Sequence, residues 1–573
     1  MRRPKIGLML FAMLVANGVT PVANLPAPLT APQALAQTPN ARKAEAERLD
    51  GQAFDQYLAN QQEAALQSWQ QALLIYQELK DRRGEELVLE KIDMVYETQA
   101  DRLRKQGAGQ YFTSQWAAAL QSLEQSLLIY RNIKNRKGEA LALGGIGLVH
   151  DSLGDYAKAI DYTQQSLASA REIKDRRNEG ALLGNLGVAY RRLGDYAKAL
   201  EYSQQQLAIA QEIQNRESEG IALQNIGFTL YKQGNFVTAE PILMDGIKVL
   251  ESIRAGLGSN DANKVSIFER QVGTYQTLQK VLIAQSKTEP ALEIAERGRA
   301  RAFVELLAAR LQDDRLQVEG SAPPSNLQPP TIEQIKQIAK AQASTLVQYS
   351  IIYDTFKVQG KQQAQESELY IWVIKPTGEV TFRTADLKPL WQKQNISLEE
   401  LVTSSRDSIG VRGRGLAVAS KVDKTSTNKR LQQLHQLLIQ PIADLLPKDP
   451  NDRIIFIPQR ELFLVPFPAL QDASGKYFIE QHTIVTAPAI QVLELTHKQR
   501  QRVSGKEVLV VGNPTMPKIA PKIGEKPEPL SQLPGAEQEA KAIASLLKTK
   551  PLIGKQATKI AIAQQMPKAK IIR

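Results

Sequence analysis

The chain has 573 residues, no cysteine, four histidines and a formal net charge of +12, with room for about two to four domains at roughly 150 residues each. Lacking cysteine, the sequence has no disulfide, thiolate metal site or cysteine nucleophile, and His150, His435, His482 and His497 have no paired-ligand spacing, so neither metal nor cofactor is expected. Residues 498–573 hold fifteen Lys and Arg against five Glu, and the first 36 hold three cations and no acid; the remainder is near neutral, which argues against a nucleic-acid partner.

Met1 to Ala36 begins with Arg2, Arg3 and Lys5, continues as an apolar run from Ile6 to Val15, and ends in a Pro/Ala-rich stretch closing on Ala34-Leu35-Ala36. This is the layout of a secretory signal peptide. The apolar run is too short for a stable membrane span. Residues 1–36 are therefore expected to direct export to the periplasm or exterior, with cleavage near Ala36; the alternative is a membrane anchor that stays uncleaved.

An internal period of forty follows. Gly147, Gly187 and Gly227 keep it, as do Gly154, Gly194 and Gly234, and Ala119, Ala159, Ala199 and Ala239. An earlier copy around Ala65-Leu66 lies 54 residues before Ala119-Leu120, which places a Gly-containing insertion around Arg104 to Phe112. Leu183, Leu186 and Tyr190 predict one helix face, Gly194-Asp195 a turn, and Tyr196 to about Ile213 a second helix. Asn185-Leu186-Gly187, Tyr190, Leu193-Gly194-Asp195-Tyr196 and Ala199-Leu200 together resemble the tetratricopeptide repeat (TPR), in a form of about 40 residues. One such pair cannot bury its apolar faces alone, so a stacked α-solenoid is expected over residues 41–310.

Asn185, Val188 and Arg192 share a face of the first helix of their repeat, and Asn225 with Lys232 repeats the placement. The resemblance implies that this helix lines the concave groove. The four polar residues are then candidates for holding a protein or peptide ligand bearing carboxylates. The other reading is that the asparagines bond neighbouring repeats and the cations form a solvated face.

Glu289 to Arg310 is predicted as one amphipathic helix capping the array. Residues 311–344 read as a Pro-rich linker with a short helix at Ile332–Ala343. Strand-like runs at Leu346–Tyr353, Leu369–Lys375, Val380–Thr384, Ile454–Ile457 and Glu507–Val511, and a further one near Lys570, alternate with helices at Lys429–Leu446 and Glu537–Leu547. This predicts an α/β domain over 345–573 with a mainly parallel sheet. Gly410 to Gly415 reads as a loop.

Arg453-Ile-Ile-Phe-Ile-Pro458, Glu461 to Leu470, Tyr477 to Pro488, Val508 to Pro514 and Leu533 to Ala540 resemble the CHAT domain, the caspase-like domain found behind TPR arrays. The resemblance implies a cysteine peptidase with a His-Gly histidine and a downstream cysteine at the ends of adjacent parallel strands. Neither can be placed before Arg573, so no catalytic residue is named, and the chain reads as truncated ahead of the dyad. From this follows an expectation of a sheet lacking neighbours and a loss of order from about residue 490. The expected fold class is α plus α/β, a TPR α-solenoid followed by an incomplete caspase-like domain. The expected function is an exported TPR–CHAT protein that binds protein through its array; the alternative is a non-catalytic scaffold whose two halves both bind.

Overall fold

The computed structural model describes residues 38–256, 261–299, 328–358, 361–409, 424–502, 507–514, 518–519, 528–529, 534–566 and 569–572. The segment expected to be a signal peptide, most of the expected linker and the stretch Gly410–Gly415 expected as a loop lie outside these. The chain divides into two compact units, residues 1–253 with 356–363, and residues 254–355 with 364–573.

In the first unit helices pair in sequence: α1 (Pro39–Leu58) with α2 (Gln62–Leu79), α3 (Arg82–Phe112) with α4 (Trp116–Asn132), α5 (Arg136–Leu153) with α6 (Tyr156–Glu172), α7 (Arg176–Leu193) with α8 (Tyr196–Glu212), and α9 (Arg216–Lys232) with α10 (Phe236–Ala255). The period is built from caps. Asn135, Asp175 and Asn215 each accept the backbone N–H three residues on, starting α5, α7 and α9, and Asp155 and Asp195 start α6 and α8 in the same way. Gly154 and Gly194 end α5 and α7 at φ of 83° and 93°, a left-handed conformation that glycine adopts without strain.

Between helices, Ser126 and Ser166 donate to the carbonyls of Ala100 and Ala140, and Glu139 and Glu179 each take two arginines. The insertion expected near Arg104 forms no loop. It is absorbed into α3, which runs 31 residues where α5 runs 18. Gly107 is the contact point there, since a Cβ would stand 2.7 Å from Leu123.

The second unit begins with α11 (Asp261–Ala284), α12 (Thr288–Arg297) and α13 (Ile332–Gln342). A five-stranded sheet follows in the order β3 (Val380–Asp386), β2 (Lys361–Ile374), β1 (Ser344–Val358), β4 (Arg453–Ile457), β5 (Thr483–Thr486). β1 pairs parallel with β4 from Ser344↔Arg453 to Gln348↔Ile457, β4 pairs parallel with β5, and β2 pairs antiparallel with β3, so the sheet is mixed. After the short α14 (Lys388–Lys393), α15 (Leu398–Ser408) and α16 (Lys424–Leu438) bury Leu398, Leu401, Leu431 and Leu434 with Val347, Tyr349, Ile371 and Phe456 in one core.

Beyond α17 (Ile490–Arg502), β6 (Glu507–Pro514) has β9 (Pro551–Gly554) and β10 (Ala569–Ile572) on either side, both parallel. β7 (Lys518–Ile519) and β8 (Glu528–Pro529) form a small antiparallel pair; α18 (Pro534–Leu546) packs Ala540 and Ala544 on Val510, and α19 (Lys559–Gln565) precedes β10. The expected loss of order from residue 490 is not met by the described residues, which form a helix and a parallel sheet there.

Two further expectations change. The helix expected over 289–310 ends at Arg297 with Gly298 as its cap, and residues 300–310 lie outside the description. It also groups with the sheet unit, whereas the sequence reading counts it with the array. The reason is hydrogen bonding: Gln276 and Lys280 donate to the carbonyls of Ile351 and Tyr353, Lys280 pairs with Asp354 at 2.6 Å, and Trp372 donates to Thr288 O at 2.9 Å. No helix among the described residues is long and apolar enough to cross a membrane.

Candidate functional site

On α7, Arg177, Ala181, Asn185 and Val188 follow at helical spacing and share one face; on α9, Glu217, Ile221 and Asn225 do the same one repeat later. These two faces, with Gln206 reaching from α8, line a cavity of about 340 Å³. Gly184 makes room for Gln206, because a Cβ at 184 would stand 2.7 Å from its amide nitrogen. Asn225 donates to Gln206 Oε1 at 3.4 Å. Asn185 is half-buried and has no side-chain hydrogen bond within the described residues. Its carboxamide therefore presents two donors and an acceptor to whatever enters. Arg177, exposed, also lines the cavity and has no ion pair among the described residues.

Of the four residues singled out by sequence, Asn185 and Asn225 thus meet in one cavity, while Arg192 and Lys232 do not line it. Arg192 pairs with Asp151, 41 residues earlier at the end of α5, at 2.5 Å. Burial raises the Asp151 carboxyl pKa and Arg192 opposes the rise. Lys232 lies 5.5 Å from the centre of the Phe228 ring and 5.6 Å from that of Tyr231. Sequence reasoning missed Arg177 and Gln206. The first was legible as the residue two turns before Asn185 on the same face, whereas Gln206 shows no signal until α8 is seen to lean on Gly184.

In the second unit the carboxyl ends of β1 and β4 are the place where an open α/β sheet would take a ligand. Here the chain's own groups fill it. Arg299, buried and with its pKa pushed down to about 10 by that burial, donates to the carbonyls of Tyr349 and Pro458. Gln459 accepts from Ile351 N at 2.7 Å, Tyr353 donates to Glu461 at 3.3 Å, and Arg460 stacks 5.3 Å from the Tyr353 ring centre.

Of the histidines, His435 on α16 and His482 before β5 pack against the same ring, Phe478, at centroid distances of 6.3 and 4.7 Å. Burial lowers the pKa of both, which favours neutral, packed imidazoles. No group of three or more His, Cys, Asp or Glu among the described residues is placed to hold a metal ion.

Comparison with known proteins divides along the same units. A family model of the tetratricopeptide repeat matches residues 103–172 and 178–252, and one of the CHAT domain matches residues 428–572. Tetratricopeptide repeat protein 28 of Mus musculus is 25% identical over 409 residues, covering 56% of this chain and 16% of that protein. The Homo sapiens protein of the same name gives the same figures. The chain thus spans about a sixth of the length of these relatives. Among solved structures, BtubC (BKLC) from P. vanneervenii is 14% identical with a TM-score of 0.28, covering 51% of this chain and 97% of that one. A STAND-type signal transduction ATPase with a tetratricopeptide repeat sensor from Pyrococcus horikoshii is 19% identical with a TM-score of 0.30, covering 48% and 45%.

Proposed function

We propose that this chain, which joins tetratricopeptide repeats to a C-terminal CHAT domain, is an exported protein whose array holds a segment of another protein on the concave face of its first helices. The observation that carries the reading is the cavity between α7 and α9, with the Asn185 carboxamide half-buried and lacking a hydrogen bond within the described residues. Its donors and acceptor face the cavity, where a bound segment exchanges their water for direct hydrogen bonds. The CHAT half belongs in this reading to the caspase-like cysteine peptidase group. Peptide hydrolysis is not assigned to these 573 residues, which include no thiol to act as nucleophile.

The test is selection of peptides from a displayed library on the whole chain, followed by binding of the selected peptides to the Asn185→Ala, Asn225→Ala variant. Affinity lower by about tenfold is expected if two hydrogen bonds to partly buried groups are lost. Unchanged affinity removes the assignment. Export is tested by the N-terminus of the protein recovered from a secreting host: a start near Gln37 supports it, and a retained Met1 refutes cleavage.

A further inference from the structure

Two of the four histidines meet at one phenylalanine in the sheet unit. On α16, Leu431, Leu434 and Leu438 are buried in the core, and His435 beside them reaches the Phe478 ring. His482 approaches the same ring from the turn ahead of β5 and lies closer, at 4.7 Å between centroids. Phe478 is buried and stands 5.9 Å from Phe456, which stacks on Phe467 at 4.2 Å. Its ring therefore fixes the turn 471–482 on the core, with two half-buried imidazoles packed on it. Further ties are light: Gln432 on α16 donates to the Asp472 carbonyl at 3.2 Å, and Phe478 N to that of Leu470 at 2.8 Å. β5, which follows at once, is an edge strand whose pairing among the described residues is with β4.

Neither imidazole is placed to carry a charge well. His482 Nδ1 is buried and has no hydrogen-bond partner among the described residues. The neutral ring therefore keeps its proton on Nε2, and a second proton would enter at Nδ1 with no acceptor to receive its hydrogen bond. Burial holds the His482 pKa below the ordinary 6.5, and no charged group among the described residues acts on it. Burial lowers that of His435 as well; Asp472 opposes the fall, while the charged side chains of α15, β3 and the turn Gln440–Leu445, which pack against α16, do not act on it. Once both rings are charged, like charges also stand on one side chain.

We propose that residues 471–486 form an acid-sensitive latch: neutral His435 and His482 hold Phe478 on the core, and their protonation releases the turn together with β5. The closed form binds fewer protons than the open one, in which both imidazoles return to their ordinary value. Closure is therefore complete above about pH 6.5 and is lost as pH falls from there through the closed-form values. Carboxylates titrate lower, so the window between about pH 6.5 and 5 belongs to the histidines. Release uncovers Phe456 and Phe467 and leaves the β4 edge with unpaired backbone groups, a surface that is shut at neutral pH. The latch is independent of the groove in the array.

Hydrogen exchange on the whole chain tests this, read by mass spectrometry at about pH 7.5 and about pH 5 with labelling times scaled for the intrinsic rate. Protection over residues 471–486 is expected to fall about tenfold in acid, while β1, β4 and the repeat helices keep theirs. His435→Gln, His482→Gln is expected to exchange equally at both pH values. Unchanged protection of 471–486 in acid, a loss shared by β1 and β4, or a response that persists in the double variant overturns the proposal. Where the double variant does not fold, the histidine Cε1 signals of the wild-type chain decide, assigned with His482→Gln alone. A His482 titration midpoint below the ordinary 6.5, accompanied by loss of protection in the turn, supports the latch; a midpoint at 6.5 or above overturns it.

Discussion

A Cβ on Gly187 would stand 2.5 Å from Ser203 Oγ and 3.3 Å from the Ala199 carbonyl, and one on Gly147 would stand 2.6 Å from Thr163 Oγ1 and 3.3 Å from the Ala159 carbonyl. The hydroxyl can turn away but the carbonyl belongs to a helix backbone, so the two helices of a pair must part for any larger residue. Gly187→Ala is expected to cost the array about 1–2 kcal/mol, read as a lower thermal midpoint for residues 38–253. An unchanged midpoint would show that the α7–α8 approach tolerates a methyl. This requirement is why the repeat was legible in sequence: the same contact recurs at the same phase. Arg192 was not legible in the same way. Its partner Asp151 has no periodic counterpart, since the residues at that position one and two repeats later are Arg191 and Tyr231. An arginine that reads as free in one repeat is thus neutralised by the repeat before it.

Between elements, recurring polar ties are the carboxylates of Glu139 on α5 and Glu179 on α7. Glu139 takes Arg131 from α4 and Arg136 from its own helix, and Glu179 takes Arg171 from α6 and Arg176. Burial pushes each carboxyl pKa up, and the arginine bonds more than offset this, holding both below the ordinary 4.5. The folded array then binds fewer protons than the unfolded chain as acid is added, so this stabilisation is complete above the unfolded value and is lost as pH falls through the folded one. The midpoint of the array is expected to stay level between about pH 7 and 5 and to drop below about pH 4.5. Glu139→Gln, Glu179→Gln should start a few degrees lower at neutral pH and fall less steeply in acid; the same slope in both proteins would show that other carboxylates dominate. Element types followed closely from apolar period and caps, whereas the long α3 did not. Repeat spacing registers an insertion but says nothing of whether the added residues continue the helix.

For the molecule as a whole, the division at Ile253 and Arg254 places α11 and α12 with the sheet. Sequence composition put the break at the proline-rich stretch after residue 311, because prolines are visible in sequence and long-range hydrogen bonds are not. Arg299 illustrates this: it reads as one more cation on an amphipathic helix, yet it holds the Tyr349 and Pro458 carbonyls, and Glu296 beside it accepts from Gln491 N at 2.9 Å. A chain of residues 254–573 is expected to unfold in one cooperative transition. A chain of residues 328–573, which leaves those carbonyls and the Trp372 indole without partners, is expected to lack one; equal cooperativity would restore the boundary at the linker. The central claim remains that the array binds through the open face of its first helices. Its most direct test is photo-crosslinking of a selected peptide to the whole chain, with a photoreactive residue placed at Val188 on that face or at Gln204, exposed on α8. The account predicts crosslinks from position 188 and none from 204; crosslinking from 204 alone would contradict it.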